Sequence, residues 1–136
     1  MSTDAYALPL PRPGPDDAAF WAGCRRHELL IQRCDACAGL RYWNAPMCAR
    51  CNALEATPVR ASGRGTIFSY TTTHRAFSPA WQGKVPYTVV VVELEEGPRM
   101  TSMLVETRAA LRIGQHVEVV FEDVTAEVSL PKFRVI

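Results

Sequence analysis

Cys34-Asp35-Ala36-Cys37, then ten residues, then Cys48-Ala49-Arg50-Cys51: this pair of knuckles decides how the chain is read. Each Cys-x-x-Cys sets two sulfurs on one face of a tight turn, and the residues between them form a short arm. Four thiolates at this spacing close a tetrahedral site of the zinc-ribbon kind. Zinc is borderline-soft and takes that geometry without strain; iron suits the same four sulfurs. With every position filled by protein, no site is left for substrate or water. The metal is expected to build structure and to do no chemistry.

Two other uses of these cysteines fit less well. A redox dithiol needs one reactive pair at a helix start after a strand, and no βαβ pattern surrounds either knuckle. A disulfide framework belongs to small secreted chains, and Met1-Ser2-Thr3-Asp4 opens without the basic and apolar stretches of a signal peptide. Reduced thiols and no targeting segment point to the cytoplasm. Cys24 reads as a small buried apolar side chain.

At 136 residues the length suits one ordinary domain, or a small module on a compact one. The longest strongly apolar run, Tyr87-Thr88-Val89-Val90-Val91-Val92, is far too short to span a membrane. The formal charge of +1 falls to about −1 once four thiolates and a zinc ion are counted. That is a poor footprint for non-specific nucleic-acid binding.

Three regions follow. Residues 1–15 are a tail whose alternating prolines, Leu8-Pro9-Leu10-Pro11-Arg12-Pro13-Gly14-Pro15, favour an extended conformation. Residues 16–57 hold a helix and the ribbon. Asp16 or Asp17 can cap a helix running to His27, with Phe20, Trp21 and Cys24 on its apolar face. Leu29–Arg33 leads into the first knuckle, and Arg41–Trp43 returns. Residues 58–136 change to period two. Strands are expected at Thr66–Thr73, Tyr87–Leu94, Arg99–Val105, Val117–Glu122 and Leu130–Val135, with a helical or turn piece from Thr107 to Leu111. Five short strands and no long helix suggest a five-stranded Greek-key barrel of the OB type, so the chain is mostly β. Replacing Cys37 with serine is expected to unfold the ribbon and leave the barrel strands largely formed.

At this level the chain resembles a family of bacterial and archaeal proteins with a rubredoxin-like zinc ribbon fused to an OB-fold, associated with acyl-CoA enzymes. The matching pieces are Phe20-Trp21, Leu30-x-Gln32-Arg33-Cys34, Pro46-x-Cys48-x-x-Cys51, Ser62-Gly63-Arg64-Gly65-Thr66-Ile67, Pro86-Tyr87, Val92-Glu93-Leu94, Ile113-Gly114 with Val117–Phe121, and Leu130-Pro131-x-Phe133. They cover nearly the whole chain. Departures are Trp43-Asn44-Ala45-Pro46, where the family has consecutive prolines, and Asn52, where it has glycine. Asn tolerates left-handed geometry. The resemblance implies a cytoplasmic accessory subunit in lipid or steroid metabolism. It would pair with a thiolase-like or enoyl-CoA hydratase subunit as a hetero-oligomer and help hold an acyl-CoA thioester.

Among individual residues, Cys34, Cys37, Cys48 and Cys51 are the metal ligands. The long loop from His74 to Pro86 combines Arg75 and Lys84 with Phe77 and Trp81: cations for phosphate, rings for stacking or for plugging a partner. With Phe20 and Trp21 these are the expected CoA or partner contacts. His27, His74 and His116 lie in separate segments, and no nucleophile–base pair or paired carboxylates emerge. Two rival functions remain: a single-stranded nucleic-acid binder, which OB barrels and zinc ribbons both serve, and a free-standing enzyme on CoA thioesters. Strands carrying mostly Val, Thr and Glu weigh against the first, and the missing catalytic group against the second.

Overall fold

The computed structural model describes residues 6–43, 45–106 and 110–136. Met1–Ala5 of the tail, Asn44, and the first three residues of the piece expected from Thr107 lie outside these. Helix α1 spans Ala18–Arg25. Asp17 stands at its N-cap, but its carboxylate accepts from the Gly14 N–H at 2.7 Å and from the Trp21 indole N–H at 3.2 Å. The cap residue therefore ties the tail and Trp21 to the helix start. The helix ends two residues short of His27, which takes a left-handed φ of 60°.

The ribbon sheet has the order β2-β1-β3, from β1 (Leu30–Cys34), β2 (Leu40–Arg41) and β3 (Ala56–Arg60). Period-two reading passed over β3. It is carried by its backbone pairing with β1, from Leu30↔Arg60 to Cys34↔Ala56. Pro58 sits within it, as an edge strand allows.

The barrel follows from β4 (Arg64–Thr73), β5 (Tyr87–Leu94), β6 (Arg99–Met103), β7 (His116–Asp123) and β8 (Ser129–Val135), in the order β6-β5-β4-β7-β8. All pairs are antiparallel. A parallel bridge between Leu104 and Phe133 nearly closes the two ends, giving the OB barrel its shape. Strand β5 shows the expected alternation most clearly: Thr88, Val90, Val92 and Leu94 all point inward. Gly65 lets β4 approach β5, since a Cβ there would stand 2.3 Å from the Glu93 carbonyl oxygen. A β-bulge shifts the β4–β5 register between Ile67 and Ser69.

One core runs through both units. Phe20, Cys24, Leu29, Ile31 and Trp43 from the helix and ribbon join Ile67, Val90, Val92, Val117 and Phe133 from the barrel. Helix α1 packs on both β1 and β8. His27 adds a surface tie: its Nε2 lies 2.9 Å from Asp123 Oδ1, and its ring stacks on Phe121 at 5.2 Å.

Candidate functional site

The knuckles are built alike. The Ala38 N–H donates to the Cys34 carbonyl and the Asn52 N–H to the Cys48 carbonyl, both at 2.9 Å. The Gly39 and Arg50 N–H groups point at the sulfurs of Cys37 and Cys48, both at 3.4 Å. As a result all four Sγ atoms fall within 4.8 Å of one another. Cys34 and Cys51, and Cys37 and Cys48, are 3.6 Å apart. A metal bound at about 2.3 Å by four sulfurs would hold them about 3.8 Å apart, so the cluster fits a tetrahedral metal.

The electrostatics agree at two of the four sulfurs; at Cys51 the Ala53 N–H lowers the thiol, but the hydrogen bond with Cys34 and desolvation outweigh it and push it up to about 11. Backbone N–H groups of Arg50 and Cys51 hold the Cys48 thiol down to about 6, and those of Cys37 and Ala36 hold Cys34 below the ordinary thiol range. Donors that favour the thiolate favour the metal-ligating form. Cys24 is the opposite case: burial pushes its thiol up to about 12, as expected of a packing residue.

The other expected site residues fall into three places. Phe20 is 3% exposed and meets Trp21, Tyr42 and Trp43 with ring centroids at 5.0, 5.7 and 6.1 Å. It seats α1 on the ribbon from within. Trp21 is half-buried and borders a groove between α1 and the tail, lined also by Leu10, Pro11 and Val128. Arg75 lies 5.5 Å over the ring of Phe77, which is 75% exposed at the tip of the long loop.

Trp81 and Lys84 line a third place, a cavity of about 720 Å³ at one end of the barrel. Trp81 sits in a short 3-10 turn, Pro79–Trp81, and stacks on Tyr87 at 4.5 Å. Tail residues Tyr6, Leu8 and Pro9 line the same cavity. Leu8 and Pro9 border both this cavity and the α1 groove, so the tail joins Trp21 to Trp81. Arg75 and Phe77 stand apart from this cavity.

Sequence reasoning missed Tyr6, Tyr87 and Lys132 in the cavity wall. Lys132 is ion-paired with Glu122. Its signal was its position opposite Val120 on the paired strand, which only a known register reveals.

Comparison with known proteins fits this geometry. Residues 58–122 match the C-terminal OB-fold domain of ChsH2. A probable enoyl-CoA hydratase alpha subunit of Thermomonospora curvata is 37% identical over 127 residues; the chain spans 39% of that protein's length. A DUF35 domain-containing scaffold protein of Methanocaldococcus jannaschii is 31% identical, over 71% of this chain and 69% of its own. Among solved structures, a chain of the Ltp2-ChsH2(DUF35) aldolase superposes with a TM-score of 0.82 at 34% identity, covering 93% of this chain and 98% of that one.

Proposed function

The chain belongs to the DUF35 scaffold family with the ChsH2-type OB-fold, and on that premise we propose that it is a non-catalytic subunit of an acyl-CoA enzyme. Its partner would be a thiolase-like subunit working by condensation, thiolysis or retro-aldol cleavage, or an enoyl-CoA hydratase subunit. The observation that carries this reading is the end-to-end match to the DUF35 chain of an aldolase, which covers ribbon and barrel together. In this reading the ribbon holds one structural zinc through Cys34, Cys37, Cys48 and Cys51. Residues 1–15 serve as the tail, 16–57 as helix and ribbon, and 58–136 as the barrel.

The partner supplies nucleophile and base, and this chain supplies a surface. Loop residues 74–86 carry Arg75 and Lys84 and no acid. Neither cation is ion-paired among the described residues, so both are available to phosphate. Trp21, Phe77 and Trp81 offer apolar area to the catalytic subunit or to the acyl-CoA thioester, and Phe20 fixes the helix that presents Trp21. The setting is the cytoplasm, where four thiols stay reduced.

The test is co-purification from the native host, with acyl-CoA turnover assayed for the chain alone and for the complex. The reading expects turnover only in the complex. It also expects weakened assembly or CoA affinity on Trp81→Ala combined with deletion of residues 1–15. Turnover by the isolated chain, or no acyl-CoA enzyme in the complex, would overturn it.

A further inference from the structure

Past Ile67, one edge of strand β4 pairs with no other strand among the described residues. The strand pairs with β5 along its length, but β7 reaches it only from Arg64 to Thr66. Ile67 is the last residue engaged on that side, accepting from the Gly114 N–H and donating to the Gln115 carbonyl. From Phe68 to Thr73 no strand lies against the second edge among the described residues. Sheet register identifies the free groups. The Thr88 carbonyl, opposite Thr72, accepts from Leu104 on the β6 side. The Thr72 and Thr88 hydroxyls meet at 3.0 Å. This is a non-hydrogen-bonded pair, so the Thr72 N–H and C=O face away from β5. Two residues back, those of Tyr70 do the same.

Phe68-Ser69-Tyr70-Thr71-Thr72-Thr73 has no charge and no proline. Natural sheets normally blunt such an edge with a charge, a proline or a covering segment. Phe68 is 45% exposed, and Ser69, Tyr70 and Thr71 are exposed as well. We propose that this edge takes an extended segment of another polypeptide as an added strand, with acidic residues at the ends of that segment.

The charges choose the occupant. Arg75 follows one end of the edge. Arg112 stands by the other, where its N–H meets Gln115 and the Tyr70 hydroxyl reaches the Leu111 carbonyl. Both arginines are exposed, and neither is ion-paired among the described residues. A second copy laid antiparallel would set one cationic end against the other. A segment with acidic ends complements both while its backbone bonds Tyr70 and Thr72. The inference rests on the reading of the chain as a subunit, and the segment belongs to the catalytic partner.

The experiment compares amide hydrogen exchange of the full chain alone and in its complex with the co-purified catalytic subunit. Exchange at Tyr70 and Thr72 should slow at least tenfold on assembly. Thr72→Pro removes one outward donor and also the hydroxyl that meets buried Thr88. Thr72→Val, which loses the hydroxyl alone, is therefore its stability control, and Thr72→Pro should weaken assembly about tenfold relative to Thr72→Val. Arg75→Glu with Arg112→Glu, at exposed positions, should weaken it similarly. If the complex forms with Tyr70 and Thr72 exchanging as before and both variants assembling normally, the edge proposal is overturned and the subunit reading stands. If no catalytic subunit assembles, both fail. Self-association of the chain alone that Thr72→Pro abolishes would make the occupant a second copy and also overturn the proposal.

Discussion

Ala38 and Asn52 occupy the same place in the two knuckles, one residue past the second cysteine, and both have a φ of 64°. Each closes its turn with the same N–H-to-carbonyl bond. The site has an internal two-fold likeness that the residue types hide. Asn visits the left-handed region readily, and alanine does so at a cost of about 1 kcal/mol.

The Ala38→Gly variant should therefore gain stability. Relief of left-handed strain, less the added freedom of the unfolded chain, leaves up to about 1 kcal/mol. That corresponds to a rise of about 3 °C in melting temperature for a chain of this size. Asn52→Ala should lower it by a similar amount. Calorimetry on the metal-loaded protein checks both, and a lower melting point for Ala38→Gly would refute the strain.

Metal removal should reach further than the ribbon. Elemental analysis should find about one zinc per chain. From the sequence, Cys37→Ser leaves the barrel formed. The structure changes that expectation, because Leu29, Ile31 and Trp43 of the ribbon share a core with Val90 and Phe133 of the barrel. Loss of the ribbon uncovers that face, so barrel melting should shift down with it. Far-ultraviolet circular dichroism during titration with a chelator would show one coupled transition; two independent ones would contradict the shared core.

Phe20→Ala should cost about 3–5 kcal/mol, the range for deleting a buried aromatic side chain. Its ring touches three other aromatics, and helix and ribbon meet there. Trp21→Ala, at a half-buried position, should cost clearly less. Denaturant titration of both variants decides it, and equal losses would mean that Phe20 is not the anchor.

Asp123 gives a pH signature. Hydrogen bonding from His27 holds its carboxyl below the ordinary value of 3.8. A depressed folded value contributes stability that is full above the unfolded value and is lost as pH falls through the folded one. The melting-temperature gap between parent and Asp123→Asn should thus be constant just above pH 3.8 and close below it. A gap that widens in acid would reverse the sign.

Much of this was legible in the chain because local chemistry fixed it. The cysteine spacing placed the four-sulfur cluster, since a knuckle closes through bonds among neighbours in sequence. Alternation along Tyr87–Leu94 placed a barrel strand, since one face must be buried. Ribbon strand β3 was not legible. Ala56-Thr57-Pro58-Val59-Arg60 has little apolar alternation and becomes a strand only by pairing with β1.

What the sequence determined by itself was the set of short-range commitments: two knuckles, a short helix, five barrel strands and a proline-rich tail. Tertiary structure alone decided which of these meet. It buried Phe20 while leaving Phe77 exposed, though both are phenylalanines in short segments. It brought Tyr6 and Leu8 to the same cavity as Trp81. It left Tyr70 and Thr72 with their backbone groups outward. Local preference depends on neighbours in the chain, whereas burial and edge exposure depend on which distant elements pack, and that is settled only when the barrel closes on the ribbon's core.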